Sequence, residues 1–305
     1  MDIMRTKTMK LSALLFAAAV GLGGLGIPAT THAAAVQPAA NTLLNTAKAS
    51  DSHDKVTLTG VAQFDGNYIK INLSRETSSY PGNFAALNYD DEGKPYLSDG
   101  SLIRVDAAIS NPEGIQFKSP RWISGGDANK AVIVLQTGWL DEKQRASLAS
   151  SELSVDLKLQ GIQDPYTLKF SFKKGGLVRN ITASAAKSDK QFKIQANRVA
   201  VGEASVRIGL TVTGVPEQAH AIGYDAYDDL GNKVEFIARE STKTSKDTTT
   251  EDLLLQKIRP DAQYLTLRPY EAVFEKGNSG AYKLDAKGDV VKNYNKQLEI
   301  KIPLK

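Results

Sequence analysis

The segment Val206–Ala238 (VRIGLTVTGVPEQAHAIGYDAYDDLGNKVEFIA) decides the fold class of this chain. From its start to Val212, apolar residues alternate with polar or small ones, which is the period-two pattern of a strand with one buried face. The pattern resumes at Ile222, turns at a Leu-Gly-Asn sequence and runs on to the end of the segment. Gly231 can adopt the left-handed conformation that closes a short hairpin loop. The segment is therefore predicted to form three strands of an antiparallel sheet.

Similar apolar segments recur along the chain, and the pair Asp65–Gly66 between two of them is a strong hairpin signal. These predicted strands are Val56–Phe64, Ile69–Leu73, Ile103–Ile109, Ala131–Leu135 (buried on both faces), Leu153–Leu159, Tyr166–Phe172, Phe192–Ala196, Leu265–Leu267 (stopped by Pro269) and Leu298–Leu304. One segment, Asp141–Ser150, has helical character. Residues 75–100 and 239–252 are polar and are predicted to be loops. Many short strands with turns between them favour β-sandwiches over an α/β fold.

The domain organisation follows from length and from local composition. A chain of 305 residues predicts two domains, at roughly 100–200 residues per domain. The flexible sequence Lys173–Gly176 is the best candidate boundary. We therefore predict an all-β protein with two immunoglobulin-like antiparallel β-sandwich domains in tandem, at residues 55–174 and 177–305. Residues 36–54 have no convincing periodicity, which predicts a flexible lead-in.

Residues 1–35 have the pattern of a secretory signal peptide. Basic residues up to Lys10 precede an apolar run from Leu11 to Ile27, and small residues follow up to Ala35. A retained membrane anchor is the alternative, but glycines interrupt the run, which is short for a span of about 20 residues. The prediction is a secreted, extracellular or wall-associated protein with no stable membrane span after the leader is removed.

Composition excludes several classes of function. The chain has no cysteine, which excludes disulfides, thiolate metal sites, a cysteine nucleophile and a lipid-modified cysteine. The formal net charge of +4 falls to +2 without the leader, because the leader carries Asp2 and three basic residues. Such a weak charge produces no strong long-range field, so no nucleic-acid partner is expected.

Four stretches resemble a family of uncharacterised extracytoplasmic proteins of Gram-positive bacteria, whose best-known members look like anti-sigma-factor membrane proteins. Val61–Leu73 (VAQFDGNYIKINL) is similar to the family's strand–Asp-Gly–strand step, and Leu153–Lys174 is similar to the end of its immunoglobulin-like domain. Tyr224–Phe236 (YDAYDDLGNKVEF) and Ala262–Glu275 (AQYLTLRPYEAVFE) resemble the companion C-terminal domain, a domain of unknown function.

The resemblance implies no catalytic residues. It implies a sensory or regulatory partner of an envelope signalling system. The chain departs from the anti-sigma pattern because it begins directly with the predicted signal peptide, so no cytoplasmic segment that could hold a sigma factor is expected.

Histidines and one serine–lysine pair are the first candidates for chemistry. His53 and His220 lie outside the leader, but their spacing matches no metal motif, so surface or loop positions are expected. Ser184 and Lys187 match the S-x-x-K of penicillin-recognising enzymes, yet the supporting S-D-N and K-T-G elements are missing. A chance match is the preferred interpretation.

Carboxylates and aromatic residues provide further candidates. One predicted hairpin contains three aspartates, Asp225, Asp228 and Asp229. They could bind calcium, which prefers oxygen ligands, or they could simply reflect the ordinary preference of Asp for turns. Glu113, Asp141 and Glu142 could supply the two catalytic carboxylates of a glycosidase. That mechanism depends on the distance between the two carboxyl groups, which the sequence does not determine.

Aromatic residues could stack on sugars if they are exposed. The alternative, which we prefer for both tryptophans, is burial in a core. The residues concerned are Trp122, Trp139 and four in the first loop, namely Tyr80, Phe84, Tyr89 and Tyr96.

The prediction from these features is an exported, non-enzymatic binding or interaction protein of the bacterial cell envelope. Its expected partner is a protein or a cell-wall polymer, and no catalytic, cofactor-binding or metal-binding residues are assigned. Two alternatives stay open: a regulatory partner of an anti-sigma-type system, and a wall-acting hydrolase that uses carboxylates.

Overall fold

The computed structural model describes residues 45–305 except positions 91, 93, 111–114, 116, 119, 173–177, 191, 215–221 and 278–279. Within these residues the chain forms antiparallel sheets, one α-helix and one short 3-10 helix. The prediction of an all-β fold is confirmed. The predicted leader and the boundary at Lys173–Gly176 lie outside the described residues, so the domain limits stay a prediction. Across the described ranges, no helix combines the length and hydropathy needed to span a bilayer.

The first half of the described chain, residues 45–172, contains ten strands and the helix. They are β1 (Asn45–His53), β2 (Val56–Phe64), β3 (Tyr68–Thr77), β4 (Asn88–Tyr89), β5 (Pro95–Tyr96), β6 (Leu102–Ile109), β7 (Arg121–Ser124), β8 (Lys130–Gln136), α1 (Glu142–Ala149), β9 (Glu152–Leu159) and β10 (Tyr166–Ser171). One sheet has the order β1-β2-β3-β8-β7 and a second has the order β10-β9-β6. Alternate residues of both sheets, such as Phe64, Ile133 and Leu157, form one apolar core.

Two local predictions in the first half, the Asp65–Gly66 hairpin and the helix that begins after Asp141, are confirmed. Asp65 Oδ1 accepts hydrogen bonds from the backbone N–H groups of Asn67 and Tyr68 at 2.9 and 3.2 Å, which closes the β2–β3 hairpin. Asp141 caps the helix by accepting from Gln144 N at 2.7 Å, and the Gln144 side chain accepts from Asp141 N at 3.0 Å. This reciprocal capping box explains why the helix begins there.

The lead-in prediction is wrong for residues 45–53. They form β1, which pairs with β2 along its whole length. The strand has no clear apolar alternation, because most of its residues are polar and Ala47 and Ala49 are the only apolar residues that it packs against the core. Ser50 and Ser52 bond instead to the hydroxyls of Thr59 and Thr57 on β2.

The second half, residues 178–305, contains eleven strands. They are β11 (Arg179–Thr182), β12 (Ala186–Asp189), β13 (Phe192–Val201), β14 (Ser205–Thr213), β15 (Gly223–Asp228), β16 (Lys233–Val234), β17 (Phe236–Lys243), β18 (Thr248–Gln256), β19 (Tyr264–Ala272), β20 (Lys292–Tyr294) and β21 (Ile300–Pro303), with a 3-10 turn at Lys296–Leu298. One sheet has the order β11-β13-β14-β18-β17, with β12 also paired to β13. The other has the order β16-β15-β19-β20, with β21 also paired to β19. A second apolar core lies between them.

The segment Val206–Ala238 forms strands, as predicted, but they do not share one sheet. β14 pairs with β13 and β18, whereas the β15–β16 hairpin pairs with β19 in the opposite sheet. The predicted register is confirmed, because Ile208 and Leu210 are buried in the core while Thr211 is half-buried on the other face. Alternation reports which face is buried, but not which strand lies next to it.

Two other predictions in this half are wrong. Residues 239–252 are not a loop; most of them belong to the β17–β18 hairpin, where threonines supply strand propensity and Arg239 pairs with Glu251 at 2.8 Å. Pro269 does not stop β19, because its carbonyl accepts from Asn295 N and its nitrogen faces the same side. On that side β20 ends opposite Tyr270 and β21 begins opposite Leu267, so Pro269 lies in the gap between them and no ladder hydrogen bond is lost.

An apolar contact joins the two halves. Tyr68 of the first half packs against Ala238 and Leu254 of the second, with Val134 beside them. The run Ala131–Leu135, predicted to be buried on both faces, is therefore covered by the first core on one face and partly by the second half on the other.

Ion pairs surround this contact. Arg207 is 2% exposed and donates to both carboxylate oxygens of Asp252, at 2.8 and 2.5 Å, and to the Gly138 carbonyl at 2.8 Å. Lys118 of the first half donates to Asp252 at 3.0 Å and also to Glu240. Burial works to raise the pKa of Asp252, but the hydrogen bond and charge of Arg207 outweigh it, and the pKa is lowered. The carboxylate is thus held ionised between the halves.

Candidate functional site: a polar groove beside Tyr80

Two adjoining clefts, of about 440 and 520 Å³, open at one end of the first half and share Ser79 and Tyr80. We call them together the Tyr80 groove. Its lining residues are Asp54, Lys55, Ser79, Tyr80, Pro81, Gly82, Tyr96, Ser98, Asp99, Gly161, Ile162, Gln163 and Asp164. They come from the β1–β2 turn, the long loop after β3 and the β9–β10 turn, so three separate connections meet there.

Two glycines shape the wall of the groove. Gly100 has a φ of +79°, and a Cβ there would lie 2.6 Å from Tyr80 Cβ. Gly161 has a φ of +74°, and a Cβ there would lie 2.5 Å from Asp99 Oδ1. Both positions therefore require glycine for the backbone conformation and for the close approach of a lining side chain. Tyr80 therefore packs closely on Gly100, and the exposed carboxylate of Asp99 lies beside Gly161.

A buried arginine organises the loop that carries Tyr80 and Tyr96. Arg75 is 2% exposed and donates to the Gly100 carbonyl at 2.7 Å and to the Gly82 carbonyl at 2.6 Å. It also donates to Asn129 Oδ1 at 3.0 and 2.8 Å. Its guanidinium thus ties both ends of the irregular segment 82–100 to the sheet, and charged donors make such bonds stronger than neutral ones.

Sequence reasoning missed this arginine, although a signal was present. Arg75 follows Ile71 and Leu73 at the same two-residue spacing, so it occupies an inward position of β3. A charged residue in the inward register of a strand indicates a buried polar partner, which here is the loop backbone.

His53 lies beside the groove in a structural role. Its ring stacks on Tyr166 at 3.8 Å, its Nδ1 contacts Asp54 Oδ2 at 2.9 Å, and its carbonyl accepts from the Tyr166 hydroxyl at 2.9 Å. Burial, followed by the neighbouring charge of Asp54, raises the pKa of Tyr166 to about 12. The stack fixes the β1–β2 turn that presents Asp54 and Lys55 to the groove.

The lining offers two kinds of contact to a ligand. Tyr96 is 48% exposed and Tyr80 is half-buried, so both present ring surface for stacking. Asp54, Asp99 and Asp164 supply hydrogen-bond acceptors, while Lys55 is the single cation of the lining. Hydroxyl groups of a ligand can donate to the carboxylates while its apolar faces stack on the tyrosine rings. Because the lining carries more negative than positive charge, it suits a neutral ligand rich in hydroxyl groups better than an anion.

The three aspartates considered for calcium do not converge. Asp225 accepts from Lys292 and Tyr294, whereas Asp228 accepts from the backbone N–H groups of Leu230 and Asn232 and so closes the turn. Asp229 accepts from the N–H of Gln263 at 3.0 Å and from Arg259 at 3.2 Å. No group of three metal-ligating side chains occurs among the described residues.

The remaining candidates are separated or lie outside the described residues. Ser184 is exposed in the link between β11 and β12, and Lys187 is exposed on β12. Asp141 caps the helix and Glu142 lies exposed in its first turn, so neither faces the groove. His220 and Glu113 are not among the described residues.

Neither tryptophan reaches the groove, and both are half-buried. Trp122 packs against the first core, and Trp139 lies between Arg198 and Arg207, whose guanidinium carbons are 3.8 and 4.8 Å from its ring centre. Among the loop aromatics, Phe84 is fully buried and Tyr89 is 45% exposed outside the groove.

Residues 179–303 match the family described as family of unknown function (DUF5643). No curated protein sequence matches the chain. A solved structure described as the crystal structure of the conserved domain protein from Bacillus anthracis is similar, with a TM-score of 0.52 and 16% identity. The match covers 84% of this chain and 89% of that one, so it includes parts of both halves. At this identity the likeness shows a shared fold alone.

Proposed function

We propose that this chain is an exported, non-enzymatic binding protein of the cell envelope of a Gram-positive bacterium. In this proposal the two halves are immunoglobulin-like sandwiches in tandem, and the Tyr80 groove holds a hydroxyl-rich segment of a wall polymer. The observation that carries the proposal is the fixed groove itself. A buried arginine and two glycines hold the loop backbone that carries Tyr80, Tyr96 and Asp99 before any ligand arrives, which lowers the entropic cost of binding.

Tyr96 and Tyr89 provide a matched test of the groove. They lie on the paired strands β5 and β4 and are 48% and 45% exposed, but only Tyr96 lines the groove. Co-sedimentation with purified peptidoglycan and titration with N-acetylglucosamine oligomers would measure binding. Tyr96→Ala and Tyr80→Ala should each weaken it about 3- to 10-fold, as expected for the loss of a stacked ring. Equal weakening by Tyr89→Ala, or no binding by the unaltered chain, would reject the groove as the site.

The same materials test the alternatives. If the chain releases soluble products from the wall glycan, and Asp99→Asn or Asp164→Asn abolishes this release, the protein is a hydrolase and the proposed binding function is wrong. Crosslinking in membranes that recovers a signalling protein, with no polymer binding, would favour the regulatory partner. Export is tested by sequencing the N-terminus of the secreted protein, which should begin near Val36.

A further inference from the structure

The second half carries an unusual outer sheet face, which contributes no residue to the Tyr80 groove. In the sheet of β15, β16, β19, β20 and β21, residues such as Ala226 and Leu267 point into the core, so their neighbours in sequence point outward. The opposite sheet of this half uses its own outer face to contact the first half through Arg207 and Asp252. The outer face of the sheet that contains β15 and β19 therefore points away from the first half.

Four tyrosines lie on this face, and three of them carry a cation on the ring. Arg268 lies 4.4 Å from the ring centre of Tyr227, Lys292 lies 4.4 Å from that of Tyr270, and Lys301 lies 4.8 Å from that of Tyr264. The fourth, Tyr294, meets Tyr270 edge to face at 5.8 Å. We call these seven residues, together with Lys233 and Asp225, the tyrosine–cation face.

A buried carboxylate holds the centre of the face. Asp225 accepts from Lys292 Nζ at 2.8 Å on each oxygen and from the Tyr294 hydroxyl at 2.5 Å. Burial, with the hydrogen bond and charge of Asp225, raises the pKa of Tyr294, so its hydroxyl keeps its proton. Gly223 lies directly under the ring of Tyr270, where a Cβ would be 2.4 Å from the ring atoms. The central groups are therefore fixed in place.

The covered rings limit what this face can bind. Bases and sugars stack on open ring faces, but here side-chain cations already lie on Tyr227, Tyr264 and Tyr270. Lys292 and Tyr294 donate to Asp225, so the donors that remain for a ligand are the N–H groups of the other cations and the hydroxyls of the other tyrosines. Donors of this kind recognise oxyanions such as phosphate.

The charge of the face agrees with this chemistry. The outward positions of its strands carry four cations (Lys233, Arg268, Lys292 and Lys301) against one carboxylate, the buried Asp225. Glu235 and Glu299 flank the face and pair with Lys233 and Arg268, which leaves one net positive charge. The cations are spread over neighbouring strands, spaced about 4.8 Å apart, so they suit a chain of anions better than a single ion.

We propose that the tyrosine–cation face binds a linear polymer whose repeating units carry phosphate groups. Lys233, Arg268 and Lys301 contact the phosphate oxygens, the hydroxyls of Tyr227, Tyr264 and Tyr270 donate to them, and no ring stacks on the ligand. This site is separate from the Tyr80 groove, whose lining has the opposite charge.

Linear inorganic polyphosphate is the probe, titrated into the full chain at low and at physiological salt. Arg268→Gln combined with Lys301→Gln should weaken binding about tenfold or more and reduce its salt dependence, because two phosphate contacts are removed. Lys187→Gln, an exposed lysine on the other sheet, is the matched control and should change little. Thermal melting of each variant shows that the fold is retained.

Three results would overturn the proposal: no binding of polyphosphate at low salt, an equal effect of Lys187→Gln, or single-stranded DNA bound more tightly than polyphosphate of equal charge. The last result would mean that rings do stack on the ligand. Tyr96→Ala should leave polyphosphate binding unchanged, so failure of this site and failure of the groove are told apart.

Discussion

The hydroxyl of Ser205 donates a 2.5 Å hydrogen bond to Asp65 Oδ2, which joins the β2–β3 turn of the first half to the start of β14 in the second. Asn67 reinforces the contact by donating to the Ala200 carbonyl at 3.2 Å and to Ser205 Oγ at 3.0 Å. Asp65 is 2% exposed, and no Lys or Arg pairs with it among the described ion pairs. Together with the hydrogen bond from Arg207 to the Gly138 carbonyl, this contact joins the two halves.

Asp65 makes the stability of the folded chain depend on pH, and the direction of this dependence follows from the shift of its pKa. Burial raises its pKa above the ordinary 3.8, against hydrogen bonds that lower it. A raised pKa stabilises the protonated folded form, so this contribution is fully present below about pH 4 and is lost as the pH rises through the folded-state pKa. The stability of the unaltered chain relative to Asp65→Asn should therefore be greatest near pH 4 and fall towards pH 8. Urea unfolding at each pH measures this difference, and a constant or rising difference would contradict it.

Gly202 controls how closely the two turns approach. A Cβ there would lie 3.0 Å from Asn67 Nδ2 and 3.0 Å from both the carbonyl and a carboxylate oxygen of Asp65. Gly202→Val should separate the halves while leaving both cores intact, so one unfolding transition should become two. Gly138→Ala is the matched control, because a Cβ at that position meets nothing within 4 Å. A single unchanged transition in Gly202→Val would show that this contact does not couple the halves.

Arg75→Lys should loosen the loop that carries the groove. Lysine cannot span the carbonyls of Gly82 and Gly100 together, and the loss of two charge-assisted bonds should destabilise the first half by about 2–4 kcal/mol. Hydrogen exchange should become faster across residues 82–100 before it changes in β2 or β3. Arg104→Lys, at a position where 69% of the side chain is exposed, is the control. Unchanged exchange in the loop of the Arg75 variant would contradict the role given to this arginine.

Leu210 and Thr211 test the register of β14. Leu210 is 1% exposed in the second core, so Leu210→Asp would bury an unpaired carboxylate and should cost about 4 kcal/mol or more. Thr211 points to the other face, where its hydroxyl accepts from Asn197 Nδ2 at 2.7 Å, and Thr211→Asp should cost about 1 kcal/mol or less. Denaturant unfolding measures both. Equal damage from the two substitutions would show that the register is wrong.

The sequence by itself determined features that depend on neighbouring residues. Alternation identified the buried faces of β9, β10 and β14, the Asp65–Gly66 pair identified a hairpin, and Asp141 marked the start of the helix. Each of these signals lies within a few residues, because side-chain period, turn conformation and capping are local properties of the backbone.

Only the tertiary structure decided which strands are neighbours and which side chains form the candidate sites. β14 and β15 are consecutive strands but lie in different sheets, and β1 is a strand because β2 offers it a complete row of partners. The groove brings Asp54, Tyr80 and Asp164 together from three connections, and Asp225 meets Lys292 across 67 residues. Such contacts depend on burial and hydrogen bonding between distant segments, which no local pattern encodes.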